Sequence, residues 1–308
     1  MTPQYITQIQ QKFMFKKRFF TYLTVFLILF TVKTTVVAQS RAAYPTVSYL
    51  NIKLDSQRRL PSNPYILEFK KGKKHIIFCG VNHLTDNSDT LNPMYLGIEK
   101  KFFEIRPDVA VNEGGDISKK QYRSKFDALI KGGEIGLIKV LSDSLKISTV
   151  NGDADTPFEF SELLKTYSKG EFLAYIVTER LMWGLKDDNI VDNALIERHF
   201  KGFIQNYILK KGGVQLSEKE QTFDFFKRSY RKLLNRPFDL EELEPTDPFD
   251  PEGKFQEIGR KSKEIRDQFL LKTIDQLLNQ YDKVFVVFGG WHLLTCEPGL
   301  KEIINRRK

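Results

Sequence analysis

Cysteine and histidine are scarce in this sequence, and each scarcity narrows the reading. Of 308 residues, two are cysteine (Cys79 and Cys296) and four are histidine (His75, His83, His199 and His292). Two cysteines exclude a disulfide-stapled scaffold. A chain of this size needs no staples, because it buries enough apolar surface to fold around one core. Cys79 and Cys296 read first as small buried core residues, second as a bridge between the segments that carry them, and third as metal ligands. Acidic residues are absent from positions 1–38, which hold five basic ones (Lys12, Lys16, Lys17, Arg18 and Lys33). Those five account for much of the formal charge of +9: the remainder of the chain has 43 basic against 39 acidic residues, a net of +4. That balance is ordinary for a soluble domain and excludes a nucleic-acid footprint.

The charge asymmetry has a second meaning. Lys16, Lys17 and Arg18 precede the apolar stretch Phe19–Val32, and Val36-Val37-Ala38 supplies small residues for cleavage near Ala38. This order is that of a secretory signal peptide over 1–38, so the chain is expected to be exported, to a periplasm or to the medium. The apolar stretch is short for a spanning helix of ~20 residues. No cysteine stands near the cleavage point to take a lipid anchor. Membrane attachment is expected only through this segment, if it stays uncleaved.

After a polar lead segment, 39–63, the pattern alternates strands and helices. YILEFKKGKKHIIFCG reads as two strands around a Lys-Gly-Lys turn. Asn92–Ile105 reads as a helix, Asp108–Glu113 as a short strand, and Lys119–Ile130 and Glu134–Leu145 as two helices. Ile147–Val150 is the next strand. About 159–235 is helical pattern throughout, a helical insertion. Pro237–Gly253 is rich in proline and acid and reads as an exposed loop or hinge. A long helix, Phe255–Tyr281, leads into a strand at Lys283–Phe288, and Pro298–Asn305 closes as a helix. The fold expected is α/β: a central, mainly parallel sheet flanked by helices.

Two of the strands end alike. Gly80-Val81-Asn82-His83 follows HIIFC, and Gly289-Gly290-Trp291-His292 follows KVFVVF. The glycines read as residues that let the chain leave the strand in a conformation others resist. The histidines then stand at the carboxyl ends of strands, where open α/β sheets bind ligands. Glu113 ends a third such strand, and Asp153 and Asp155 follow a fourth; the two aspartates read as turn and N-cap residues before catalytic ones. His75 reads as a surface residue, and His199 as solvated on a helix. Two imidazoles with one or two carboxylates suit zinc, manganese, cobalt or iron. The same set also suits a metal-free pair in which a carboxylate fixes a histidine that activates water. Both point to hydrolysis. Arg266 matters to either only if its helix crosses the strand ends, where it would hold a carboxylate or an oxyanion.

Strand-GxxH, a strand ending in glutamate, and a helix with Arg-Asp feeding a final strand-GxxH together resemble the TraB/GumN/Tiki superfamily. That group is distantly related to erythromycin esterases and ChaN haem-binding proteins. The matching residues are Gly80, His83, Glu113, Arg266 with Asp267, Gly289 and His292. The closest block is IRDQFLLKTIDQLLNQYDKVFVVFGGWHLL. The resemblance implies a single domain over 64–308 and, from Tiki-like members, metal-dependent peptidase activity. His83, Glu113 and His292 would hold a divalent ion (Mn, Co or Zn), and Arg266 would complete the catalytic set. The substrate class implied is a peptide or small molecule. Esterase-type members imply ester hydrolysis as an alternative, although Asn82 stands where many of them carry a glutamate. The haem-binding members imply a second alternative, a non-catalytic binding or signalling protein.

Overall fold

The computed structural model describes residues 43–52 and 60–307. The expected signal peptide and part of the polar lead segment lie outside the described residues. Among the described residues no helix is long and apolar enough to cross a membrane.

The chain begins its sheet with a hairpin. β1 (Tyr65–Lys71) and β2 (Lys74–Val81) pair antiparallel about Gly72, where φ is +56°. β1 is an edge strand, half solvated and ending in lysines that discourage further pairing. β2 is apolar along nearly its whole length because it is covered on both faces. α1 (Pro93–Ile105) starts where the Asn92 side chain accepts the Met94 N–H, with Pro93 at a position whose missing N–H costs nothing. It stops at Arg106, in the left-handed region. β3 (Val109–Asn112), α2 (Lys125–Leu145) and β4 (Ser148–Asn151) follow.

The next stretch is helical, as the sequence pattern requires: α3 (Thr156–Thr166), α4 (Lys169–Val177), α5 (Trp183–Asp187), α6 (Asn193–Phe203) and α7 (Phe223–Leu234). π-helical turns interrupt it at Thr178–Met182 and Ile204–Lys211. It packs its own aromatic core around Phe160, Phe172, Tyr175, Phe226 and Tyr230. α8 (Lys254–Leu277), β5 (Lys283–Gly289) and α9 (Gly290–Asn305) complete the described chain.

The sheet order is β1-β2-β5-β3-β4, and the last four strands are mutually parallel. Alternate residues of the buried strands supply two cores. Phe78, Val111, Val286 and Phe288 pack with Leu270, Ile274, Leu293 and Leu300 of α8 and α9. Ile77, Cys79, Ala110 and Phe285 pack on the other face with Ile98, Phe102, Leu137 and Leu141 of α1 and α2. The expected α/β architecture is therefore the observed one. Helices α1 and α2 cover one face and α8 and α9 the other, so β5 sits where the crossovers change sides. In an open sheet that is where the crevice at the carboxyl edge opens.

Several local expectations change. The final helix starts at Gly290, not Pro298, and contains Pro298. The glycine pair looked like a loop but is a packing requirement: a Cβ on Gly290 would stand 2.2 Å from Leu60 Cδ1. Gly80, Gly289 and Gly290 all lack the positive φ expected of them. Gly80 lies within β2, and a Cβ there would meet Gly290 Cα and Leu293 Cδ2 at 3.0 Å. These glycines serve close approach between β2 and α9, not an unusual turn. The two helices expected within 119–145 form one, α2, broken at Gly133 with φ +53° and ψ −135°. His75 is buried rather than on the surface, its Nε2 2.8 Å from Glu68, because β5 and α1 cover the start of β2. The 237–253 segment has no regular structure, but it is not wholly exposed: Leu240 and Leu243 are buried, and Phe249 packs on Tyr49 and Trp291. Both cysteines are buried and free, so no bridge joins the histidine segments.

Candidate active site

The strand order places four polar residues side by side. Reading along the carboxyl edge from β2 through β5 and β3 to β4, the chain leaves through His83, His292, Glu113 and Asp153. Glu113 stands in the middle. Behind it the Asn112 amide donates to the carbonyls of Glu113 and Gly115, and Gly114 and Gly115 take φ of +84° and +103°. This tight turn is one of the few places where glycine's conformational freedom is required.

Each oxygen of Glu113 is held. Oε2 accepts the Gly289 backbone N–H at 2.6 Å, and Oε1 accepts Arg266 Nη2 at 2.6 Å. Arg266 reaches the edge because α8 crosses it. Its guanidinium also donates to Asp153 through Nε (2.7 Å) and Nη2 (2.9 Å), a fork-to-carboxylate pair that fixes its plane. Asp153 is thus more than a turn residue, whereas Asp155 caps α3 as expected, accepting the Phe158 N–H. Burial alone would raise the Glu113 carboxyl. His83, His292 and Arg266 outweigh it and hold that carboxyl well below the usual range. Burial would likewise favour loss of the Arg266 proton, but Asp153 and Glu113 overcome it and raise that group further.

The two histidines are prepared alike. His83 Nδ1 donates to Glu134 Oε1 at 2.6 Å, and His292 Nδ1 donates to Asp267 Oδ1 at 2.5 Å. Their Nε2 atoms then face Glu113, from His83 at 3.4 Å to Oε2 and from His292 at 3.9 Å to Oε1. They differ in setting. The His292 side chain is 6% exposed and packs edge-on against Phe288, whereas that of His83 is 51% exposed and open to a ligand. Hydrogen bonds from Glu113 and then Glu134 push the His83 pKa up to about 10. Gly289 leaves the space between these groups clear, since a Cβ there would lie 3.1 Å from Glu113 Oε2 and 3.3 Å from His83 Nε2.

All four site residues named from sequence, His83, Glu113, Arg266 and His292, meet here. Sequence reasoning missed Glu134 as a partner, and it noted Asp267 only as a neighbour of Arg266. The signal for Glu134 was Gly132-Gly133-Glu134 inside a helical pattern: the break at Gly133 re-aims the residue after it. His199 is exposed on α6 and takes no part.

The donor chemistry suits a divalent ion. Tetrahedral ligands at 2.0–2.2 Å from zinc stand roughly 3.4 Å apart, close to the His83–Glu113 separation and somewhat below the His292–Glu113 one. Carboxylates on both Nδ1 atoms are the usual outer partners of metal-bound imidazoles. Against this, among the described residues no group of three His, Cys, Asp or Glu is closed up into a metal-holding cluster. The two histidines address different oxygens of Glu113, which accounts for the difference. The set is an open one, with donors of the right kind and nearly the right spacing.

Family models and curated proteins were compared with this chain, and none matches. The resemblance to the TraB/GumN/Tiki superfamily therefore rests on the residues that carry it.

Proposed function

We propose that this chain is an exported, metal-dependent hydrolase of peptidase-like type, a member of the group it resembles. One observation carries the reading: two imidazoles, each fixed at Nδ1 by a buried carboxylate, turn their Nε2 atoms toward one shared glutamate. His83, Glu113 and His292 would hold the ion, which when bound supplies a water of lowered pKa (toward ~7) and polarises the scissile carbonyl. Glu134 and Asp267 hold the imidazole tautomers that leave Nε2 as the free nitrogen. Arg266 orients Glu113, and its Nη1, which makes no hydrogen bond among the described residues, faces charge developing on a substrate oxygen. Residues 1–38 direct the chain out of the cytoplasm, and the polar cleft takes a peptide or small-molecule substrate.

A second reading has its own support. Both Glu113 oxygens already accept strong hydrogen bonds, which suits a metal-free site where the Glu134–His83 pair handles the proton and Arg266 the oxyanion, as in ester hydrolysis. The test is a hydrolysis screen of peptides and simple esters with the chain from residue 39 onward. It is run after chelation and again with Mn, Co or Zn restored, alongside His83→Ala and His292→Ala. Activity that follows the metal and disappears in both variants supports the first reading. Activity indifferent to chelation and to metal content selects the second. Absence of any hydrolysis, with a Soret band appearing on haem addition, would replace both by a binding role.

A further inference from the structure

One charged group near the site has no partner, and its position explains why. α8 presents Ser262, Arg266 and Asp267 to the polar layer: Ser262 donates to Glu159, Arg266 to Asp153 and Glu113, and Asp267 accepts from His292. Lys263 precedes Arg266 by three residues and Asp267 by four, so it shares their face of the helix one turn toward its start. The charges around it are Arg266, Arg180, Glu179 and Glu159. Every carboxylate in that set is already taken. Arg180 bonds Glu159 at 2.5 Å and Glu179 at 2.9 Å, and Arg266 holds Glu113 and Asp153. Asp267, in reach of Lys263 by helix spacing, is committed to His292. Other lysines of α8 are paired along the helix, Lys254 with Glu257 and Lys261 with Glu264. Lys263 makes no ion pair or hydrogen bond among the described residues, although it is only partly exposed.

Such a group is costly as it stands. Burial, and then the nearby Arg266, disfavour its charged form and lower its pKa. A partly exposed lysine that is nevertheless desolvated sits on a concave floor, not on a convex surface. An unpaired ammonium there is stabilised by an anion entering from the cleft.

Building on the hydrolase reading, we propose that Lys263 docks a substrate carboxylate beside the catalytic cluster, so that the cleft selects anionic peptides or acyl compounds. One helical turn is about 5.4 Å and an extended peptide advances about 3.3–3.6 Å per residue. The carboxylate therefore lies one or two residues from the reacting bond, as a chain terminus or an acidic side chain. Arg180 and Arg266, saturated by their own carboxylates, are excluded from this role; Lys263 is a specificity residue and touches no reacting atom.

The experiment measures binding, by calorimetry, of N-acetyl-alanyl-alanine and of its C-terminal amide to the chain from residue 39 onward. The free acid is expected to bind about tenfold tighter, the equivalent of one charge-assisted hydrogen bond. Lys263→Met should erase that preference, Lys263→Arg should keep most of it, and Lys261→Met, on the same helix but already paired, should leave it intact. Equal binding of acid and amide, no binding of either, or a preference that survives Lys263→Met overturns the proposal. Because the readout needs no turnover, a lack of hydrolysis with the preference intact would sink the hydrolase reading alone. Hydrolysis indifferent to the probe's charge would sink the Lys263 assignment alone.

Discussion

Replacing Asp267 by asparagine separates a catalytic from a structural account of the histidine–carboxylate pairs. The Asp267 side chain is 2% exposed, sits 2.5 Å from His292 Nδ1 and also meets the Cys296 thiol at 3.6 Å. Asparagine keeps the shape and opens no cavity, so the loss is that of charge in one buried hydrogen bond. A bond to a charged acceptor contributes about 1.5–3 kcal/mol and a neutral one about 0.5–1.5, giving a stability loss of about 1–2 kcal/mol. For a domain of this size that lowers Tm by ~2–8 °C. Asparagine can also present its N–H₂ to Nδ1 and drive the proton to Nε2, which then neither accepts a proton nor binds a metal. The expected loss in metal retention or activity is ~10–100-fold, typical for an outer partner of a metal-bound histidine. Glu134→Gln is the matched control. His83 is half exposed, so its stability cost should fall below ~1 kcal/mol while the functional loss is similar. Thermal unfolding, metal content after dialysis and hydrolysis rate are measured on all three proteins. If both variants keep wild-type activity and metal content within about twofold, against that ~10–100-fold expectation, the pairs are structural and the site assignment fails.

Gly289→Ala should lower activity at least ~10-fold, because its Cβ would enter the space between Glu113 and His83, at 3.1 and 3.3 Å from them; an active, normally folded variant would refute that placement. The raised pKa of His83 sets a pH signature. Its protonated form is favoured in the folded chain, so its stabilisation is full below the unfolded value near ~6.5 and disappears as pH rises through about 10. The stability gap between wild type and His83→Gln, from denaturant titrations, should therefore shrink across that window; a gap that widens with pH contradicts the Glu113 and Glu134 contacts. Cys79 and Cys296 are fully buried, and burial raises both thiols, so thiol reagents should label them only on unfolding. Rapid labelling under native conditions would count against the packing of α9 on the sheet.

The parallel strands were legible because burial on both faces leaves uninterrupted apolar runs such as HIIFC and VFVVF. Their order was not legible. Nothing local in Val109–Asn112 or Lys283–Gly289 states that the second inserts between β2 and the first, since that pairing is fixed by packing across more than a hundred residues. The residues with unusual spacing, His83, Glu113 and His292, were found from their strand ends. The residues that hold them were not, because Glu134 and Asp267 look like solvated positions on helices until the sheet turns those faces inward. The glycines were noticed for the wrong reason: a sequence shows that a side chain is missing, but not whether the backbone or a neighbour needs the room.

The insertion of β5 between β2 and β3 also gives the site a timetable. The Gly289 N–H that holds Glu113 comes from 176 positions further along the chain. Until β5 is in place, β2 and β3 have no shared neighbour, and Glu113 lacks the Gly289 N–H and the nearby His292. Pairings this distant in sequence are late and slow steps in folding. A chain made and threaded from its amino end would stay without a working centre until residue 289 has passed and the middle of the sheet has closed. For a hydrolase bound for export, synthesis and transport would be finished before activity begins.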